Sequence, residues 1–468
     1  MRMGKMMLLL CAIILVLAAC SGGTGSEGND AVTNGANAGA NNGTNDGADN
    51  GGNASGNETG NTGEEESYST PEMDFDLGGR TIKIVSWWDM TIPEDNPDNI
   101  QRKENLNALM EKHNFKVEYV AIDYGEYQEK VTASLLAGEP IGDIVRLGKT
   151  YTVPTLVKQD LLWPIDEYTK NPVAFNQKVT NEYYTYEGRG YGFSEGQANL
   201  VQGIFYNRTL MNQHGLKALQ DYVNEDSWNW ETFIQVAKEA NKDTNNDGKL
   251  DTWGLANSSL MDQALYSNNT GLTKGNKQNL DDPATMESLN FVSRLATEQV
   301  ARPTEGGDWT EPGQFFRQGN TLMIAGALWE LSGLQTDMPD YEIGFVPFPK
   351  GPHATDYHSA EALFQALTIP KSVENPEQLL YIWEKINDID SVYEYPDQGW
   401  YETLFANEDD LNNAKMVAPN MIILDHNTFP NLKYYDFVGE LNSGVSVSTV
   451  VEKYKSTFQA AIDEVYGP

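Results

Sequence analysis

The chain is predicted to be an α/β protein of two lobes, on three observations. Strand and helix patterns alternate as βαβαβ from Arg80 onward. The alternation restarts near Gly203. About 400 residues lie beyond an N-terminal leader and linker, more than one hydrophobic core usually holds. "RTIKIVSWW" is a strand pattern with Ile82, Ile84 and Val85 apolar, and "NIQRKENLNALMEKHN" has helical spacing at Ile100, Leu106, Leu109 and Met110. "FKVEYVAI" reads as a second strand, "YQEKVTASLLAG" as a second helix, "GDIVRLG" as a third strand and "VPTLVKQDLL" as a third helix. This order argues for a parallel sheet covered on both faces, and ligands of such sheets bind beyond the carboxyl ends of the strands. Here those ends are "SWWDM", "IDYGEY" and "RLGKTY", rich in aromatic and polar groups.

In the later part, "GIFYN" is a short strand and "NWETFIQVAKEANK" a helix that runs into an acidic loop. "DDPATMESLNFVSRLATEQV" is another helix, with Pro283 in its first turn. "NTLMIAGALWEL", "YEIGFVPFP" and "EALFQALTIPK" read as strands, and "NPEQLLYIWEKI" as a helix with Asn375 as N-cap and Pro376 at N1. "STVVEKYKSTFQAAIDEVY" closes the chain as an amphipathic helix, and no repeat of fixed period occurs.

The N-terminal end of the chain carries an address rather than fold. Arg2 and Lys5 precede "MMLLLCAIILVLAAC", an apolar run of signal-peptide type, too short to span a bilayer comfortably. "LAAC" resembles a bacterial lipobox, which implies cleavage before Cys20 and diacylation of its thiol; an ordinary signal peptide or anchor helix is the alternative. With Cys11 inside the leader (residues 1–19), the mature chain keeps Cys20 alone and forms no disulfide. Residues 20–70 are Gly, Asn, Ser, Thr and acid, a tether whose flexible span is about 40 Å. A formal charge of −36 argues against nucleic acid as a partner, because phosphate binding needs basic surface.

"DTNNDGKLD" raises a metal question. Asp243, Asn245, Asp247 and Asp251 fall at calcium-loop positions one, three, five and nine, Gly248 at the sharp turn, and Lys249 at seven, where a backbone carbonyl suffices. Position twelve is Gly254, where an EF-hand has a bidentate glutamate. A sensor, a structural ion site and an ion-free acidic turn all remain open on these residues.

Five segments in order carry a family likeness: "AGEPIGDIV"; "YGFSEGQANLVQGIFYNRTLMNQHGL"; "SWNWETFIQVAKEANKDTNNDGKLDTWGLA"; "FFRQGNTLMIAGALWE"; and "FVPFPKGP" followed by "ALTIPKSVENPEQLLYIWEKI". Together they resemble the extracellular solute-binding proteins of bacterial ABC importers, the family that includes maltose- and alginate-oligosaccharide-binding proteins, over everything from Gly79 to the end. The resemblance implies a periplasmic-binding-protein-like fold, with ligand in a cleft between lobes joined by crossing strands. It puts crossings at Asn199 to Gln202 and Phe345 to Pro349, with a third after Ala406. Lobe one would then be residues 71–200 and 349–410, and lobe two residues 201–348 and 411–468. It also implies an ABC permease partner, a monomeric receptor, and a lipid-anchored place at the outer face of the cytoplasmic membrane. The acidic loop resembles the unpaired calcium loop of the alginate-binding relatives, which implies one structural Ca2+ on Asp243, Asn245, Asp247, Lys249 and Asp251.

Sugar rings present C–H patches ringed by hydroxyls, so flat aromatic faces beside hydrogen-bonding groups suit an oligosaccharide. Trp87, Trp88 and Asp89 follow the first strand; one tryptophan of the pair packing in the core is an equal expectation. Tyr124 and Arg146 end the next two strands. The resemblance places a stacking ring at Trp329, with Glu330 beside it, and puts Asn199 and Gln202 at a crossover. His358 and Glu361 precede the return strand, and Trp400, Tyr401, Tyr434 and Tyr435 are further aromatics of the late part. Trp228, Trp230 and Trp253 flank the acidic loop, the first two expected to pack. An enzyme is disfavoured: no G-x-S-x-G elbow occurs and the five histidines show no H-E-x-x-H spacing. A surface adhesin that holds carbohydrate without transport is the stronger alternative.

Overall fold

The computed structural model describes residues 70–467 except 150–151, 173, 176–179, 181–183, 195–200, 258, 305–307, 309, 361–364, 396, 423 and 430. The leader, Cys20 and nearly all of the tether lie outside the described residues. Eight strands build two four-stranded sheets: β1 (Arg80–Ser86), β2 (Phe115–Ala121), β3 (Ile144–Gly148), β4 (Gln202–Asn207), β5 (Trp253–Leu255), β6 (Thr321–Ala327), β7 (Ile343–Val346) and β8 (Gln365–Thr368). The first sheet has the order β8-β3-β1-β2 and the second β7-β4-β6-β5.

In the first sheet β1 is parallel to β2 and to β3, as the βαβαβ reading expects; β8 closes the edge antiparallel to β3. Alternation along β1 sends Ile82 and Ile84 to one face and Val85 to the other. The helices Pro97–His113 and Pro376–Ile386 cover the Ile82 face through Leu106, Leu109, Leu379 and Ile382, while Tyr124–Leu136 covers the Val85 face through Tyr127, Val131 and Leu135. In the second sheet β4 is antiparallel to both β6 and β7, and β5 is parallel to β6. Its core gathers Phe205, Phe233, Phe291, Phe345 and Phe458, the last from the closing helix Val447–Tyr466. Trp228 and Trp230 pack there as expected, Trp230 stacked on Phe291 at 4.3 Å.

Three local expectations fail for stated reasons. "VPTLVKQDLL" is not a regular helix: Val153 is extended (φ −118°, ψ 121°) inside the irregular turn Thr152–Leu156, because the residue before Pro154 is pushed out of helical space. Asn375 precedes the Pro376 helix but makes no side-chain cap; it takes the left-handed conformation at φ 53°. The β6 strand stops at Ala327, and Leu328–Glu330 is a single 3-10 turn leading into the helix Leu331–Asp337. Among the described residues no helix is long and apolar enough to cross a membrane.

The second and third crossings differ from the expected places. Phe345 sits in β7, and residues 347–351 stay strapped to lobe two. The Trp228 indole N–H donates to the Pro347 carbonyl at 2.8 Å, and a side chain at Gly351 would meet Asn268 Oδ1 at 2.5 Å. The chain leaves only after Ser359–Ala360, which pairs in parallel with Met421–Ile422, and joins sheet one at Gln365. Its return runs over residues 387–397. Asn105 Nδ2 donates to the Asp388 carbonyl at 3.1 Å, and Asp98 accepts from Ser391 Oγ at 2.7 Å. Tyr401, Leu404 and Phe405 already belong to the second core, so lobe two resumes well before residue 411.

Candidate ligand-binding site

The exit of β1 forms an aromatic ledge. Trp87 is half-buried and meets Tyr127 edge-on at 5.3 Å, Tyr124 at 5.8 Å and Trp88 at 4.7 Å. It is therefore mainly a packing wedge. Trp88 is 41% exposed and Tyr124 60%, so both offer surface to solvent. Asp89 accepts from the Thr91 hydroxyl at 2.6 Å and the Thr91 N–H at 2.9 Å, and the hydroxyl above all holds its carboxyl below the usual range. A carboxylate that stays ionised beside exposed rings is a strong acceptor for hydroxyl groups.

Arg146 does not end its strand. It lies within β3 at 5% exposure, and its guanidinium stands 4.6 Å from the Trp88 ring centre. That cation–π contact steadies the ring from behind. The Tyr127 hydroxyl ties β1 to β3, lying 2.9 Å from the Val85 carbonyl and 2.7 Å from the Arg146 carbonyl. Burial pushes this phenol's pKa up.

The second lobe places its own residues at the exit of β6. Gln202 faces Ala327 in the β4–β6 ladder, its N–H donates to Ser359 Oγ at 2.7 Å, and Leu328 N–H donates to the Val201 carbonyl at 2.9 Å. Trp329 is thereby held in the 3-10 turn, 63% exposed. Glu330 turns one carboxylate oxygen back onto its own turn: its Oε1 accepts the Ala327 N–H at 3.0 Å, and burial raises its pKa. The structure thus gathers Trp87, Trp88, Asp89, Tyr124 and Arg146 in one group, and Gln202, Trp329 and Glu330 in another. Asn199 and Glu361 lie outside the described residues. Of the late aromatics, Tyr401 is buried, Tyr434 stacks on His426 at 4.4 Å, Trp400 is partly open and Tyr435 is 86% exposed. His358 is half-buried, and burial lowers its imidazole pKa.

A cavity of about 850 Å³ opens beside Trp88 and Asp89. Its walls come from the 88–93 loop, the first turns of the Pro97–His113 helix, Tyr119, Trp383 and the third crossing. Arg102, Tyr119, Tyr393 and Tyr395 were not among the sequence candidates; the clustered tyrosines of "SVYEYPDQGWY" were the available signal.

The acidic loop is folded on itself. Asp243 accepts the Gly248 N–H at 2.8 Å, Asn245 Oδ1 the Asp247 N–H at 2.8 Å, and Asp247 the Lys249 N–H at 2.9 Å. Asp251 accepts from the Thr244 hydroxyl and N–H and from Asn245 Nδ2, and the Thr244 hydroxyl chiefly lowers its pKa. A side-chain ligand at loop position twelve is sterically excluded: a Cβ at Gly254 would lie 2.0 Å from the Ala237 carbonyl oxygen. Among the described residues no group of three or more Asp, Glu, His or Cys side chains is placed to hold a metal ion. The donor set therefore fits calcium only in part.

The family follows from comparison. The model of the bacterial extracellular solute-binding protein family matches residues 98–386, more than half of the chain, and the chain belongs to that family. It is 22% identical over 305 residues to the arabinooligosaccharide-binding protein of Bacillus subtilis (strain 168), a match spanning 63% of this chain and 63% of that relative's length. The galacto-N-biose-/lacto-N-biose I-binding protein of the ABC transporter of Bifidobacterium longum, solved with lacto-N-biose, shares the fold at a TM-score of 0.61 and 15% identity, over 84% of this chain and 99% of that one. An ABC substrate-binding protein of Listeria monocytogenes in complex with cycloalternan matches at 0.59 and 14%, over 83% and 99%. The two-lobed α/β fold expected from the sequence is the fold of these relatives. Membership in a family of binding proteins is what sets the enzyme reading aside.

Proposed function

We propose that the chain is the lipid-anchored, extracytoplasmic receptor of an ABC importer, binding a neutral oligosaccharide and delivering it to a permease. One observation carries the reading: in each lobe a strand of the main sheet exits into a solvent-facing tryptophan, Trp88 after β1 and Trp329 after β6. Two ring faces on separate lobes suit a sugar chain long enough to meet both. The B. subtilis relative makes arabino-oligosaccharides the first probes. A thermal-shift screen of plant and microbial oligosaccharides tests the reading. At least one neutral oligosaccharide should raise Tm in a concentration-dependent way; a panel of broad coverage that leaves Tm untouched counts against it.

The anchor is part of the same proposal. A tethered receptor gains effective concentration at its permease. Cys20→Ser should release the protein into the medium, whereas a variant that remains membrane-bound contradicts lipidation of Cys20.

We also propose one calcium ion in the acidic loop. Asp243, Asn245, Asp247 and Asp251 share one turn and would supply side-chain oxygens, Lys249 its carbonyl, and water the rest. Chelator should lower Tm and calcium restore it, and Asp247→Ala should erase that difference. A calcium response that survives in Asp247→Ala, or none in the wild type, removes the ion from the account.

A further inference from the structure

The 850 Å³ cavity beside the ledge has no role in what precedes. It begins at Trp88 and Asp89, so a ring stacked on Trp88 already stands at its mouth. Its walls mix ring faces with oxygen-bearing groups. Tyr119 is half-buried, and burial with the nearby Asp89 charge pushes its phenol up to about 12, so the hydroxyl stays a donor at every physiological pH. Arg102 is half-buried, and its Nη1 donates to Asn99 Oδ1 at 2.9 Å on its own helix.

The charge of the lining excludes some occupants. Asp89, Asp98, Glu394 and Asp397 face it with Arg102 as the one basic side chain of the lining. A uronate, phosphate or sulfate would meet four carboxylates, and like charge at short range is repelled. A neutral polyhydroxylated ring has no such cost, and it uses acceptors, donors and ring faces together.

The roof is the third crossing. Ser391, Tyr393 and Tyr395 come from residues 387–397, which carry the chain back to lobe two. Asp98, 6% exposed, holds that roof to the Pro97–His113 helix through Ser391 Oγ at 2.7 Å and Val392 N–H at 3.3 Å. An occupant therefore touches a segment that joins the two lobes, the kind of connection through which hinge closure around a ligand works.

We infer that this cavity is the end subsite of the receptor, taking the terminal unit of a neutral oligosaccharide that runs on from Trp88, with Tyr119 and Arg102 as its length-selecting hydrogen-bonding groups. The inference rests on the oligosaccharide reading above and adds where one end of the chain lies. It makes affinity depend on chain length, because a short sugar fills the ledge and leaves the cavity to water.

The test uses linear arabino- and malto-oligosaccharides, from di- to pentasaccharide, titrated calorimetrically into the intact protein. Tyr119→Phe removes only the hydroxyl and keeps the ring that packs against the first core, and Arg102→Ala removes the guanidinium. For the longest sugar bound, each should weaken affinity by about tenfold, and for the disaccharide by no more than about twofold. Ile389→Trp, on the half-exposed rim, should block the cavity and give the same length-dependent loss. Melting temperatures close to that of the wild type show that the fold is kept. Equal losses at every length, or none at any length in all three variants, overturn the end subsite and leave the receptor reading intact. A wild-type protein that binds neither series at any length, and no sugar of the thermal-shift panel, overturns the subsite together with the neutral-oligosaccharide reading; a hit from that panel replaces the two series in the same length comparison.

Discussion

Asp410→Ala should cost about 3 kcal/mol of unfolding free energy, because it removes the buried partner of Arg208 and leaves that cation only the exposed Glu342 carboxylate at 3.3 Å. Asp410 Oδ1 accepts from Arg208 Nη2 at 2.6 Å and from the Phe345 N–H at 3.0 Å, with side-chain exposures of 12% for Arg208 and 5% for Asp410. Arg208 also donates through Nε to the Tyr206 hydroxyl at 3.0 Å. Burial raises the Asp410 pKa in spite of its partner, which marks how much solvation the pair has given up. The pair joins the helix Glu408–Val417 to β7 and to the start of the helix Arg208–Gln213, so its loss loosens the inner edge of the second sheet. Urea unfolding followed by fluorescence and by circular dichroism measures the change. Asp410→Asn keeps an acceptor for the Phe345 N–H and should lose less. A loss below about 1 kcal/mol in the alanine variant would show that water replaces the carboxylate.

Trp88→Ala and Trp329→Ala should each lose about 1–3 kcal/mol of oligosaccharide binding, or roughly 5- to 150-fold in Kd. Trp329 faces solvent, so its removal should barely change the melting temperature, whereas Trp88→Ala also gives up the contacts with Trp87 and Arg146 and should lower it modestly. Trp87→Ala should do the opposite. Trp87 is wedged against Tyr124, Tyr127 and Trp88, and its loss should appear mainly as lower stability. Calorimetric titration of the three variants separates stacking from packing. Full affinity in the Trp88 and Trp329 double variant would remove the aromatic ledge from the site.

The parts of the fold visible in the sequence are those set by local pattern. The alternation at Ile82, Ile84 and Val85, and the spacing at Leu106 and Leu109, each follow from one face being buried. The parts that were hidden depend on distant partners. Phe345 to Pro349 looks like a strand exit, but Trp228 and Asn268, far away in sequence, hold that segment to lobe two. Glu330 looks like a hydroxyl-binding neighbour of Trp329, yet its nearest need is the Ala327 N–H of its own turn. Arg146 reads as a strand-end group and is instead the support behind Trp88. Gly254 looks like a missing calcium ligand, whereas contact with the Ala237 backbone leaves no space for any side chain. The cavity was out of reach for the same reason: Arg102, Tyr119 and Tyr393 converge only once a helix, a strand and a crossing have packed.

Receptor function with lobe closure is tested most directly by small-angle scattering of the mature protein with and without a saturating oligosaccharide taken from the thermal-shift screen. The sugar is then recovered and analysed. The radius of gyration should fall in the complex and recover on dialysis, and the sugar should come back chemically intact. An unchanged radius of gyration at saturation would contradict closure around the ligand, and a cleaved or modified sugar would contradict a binding protein.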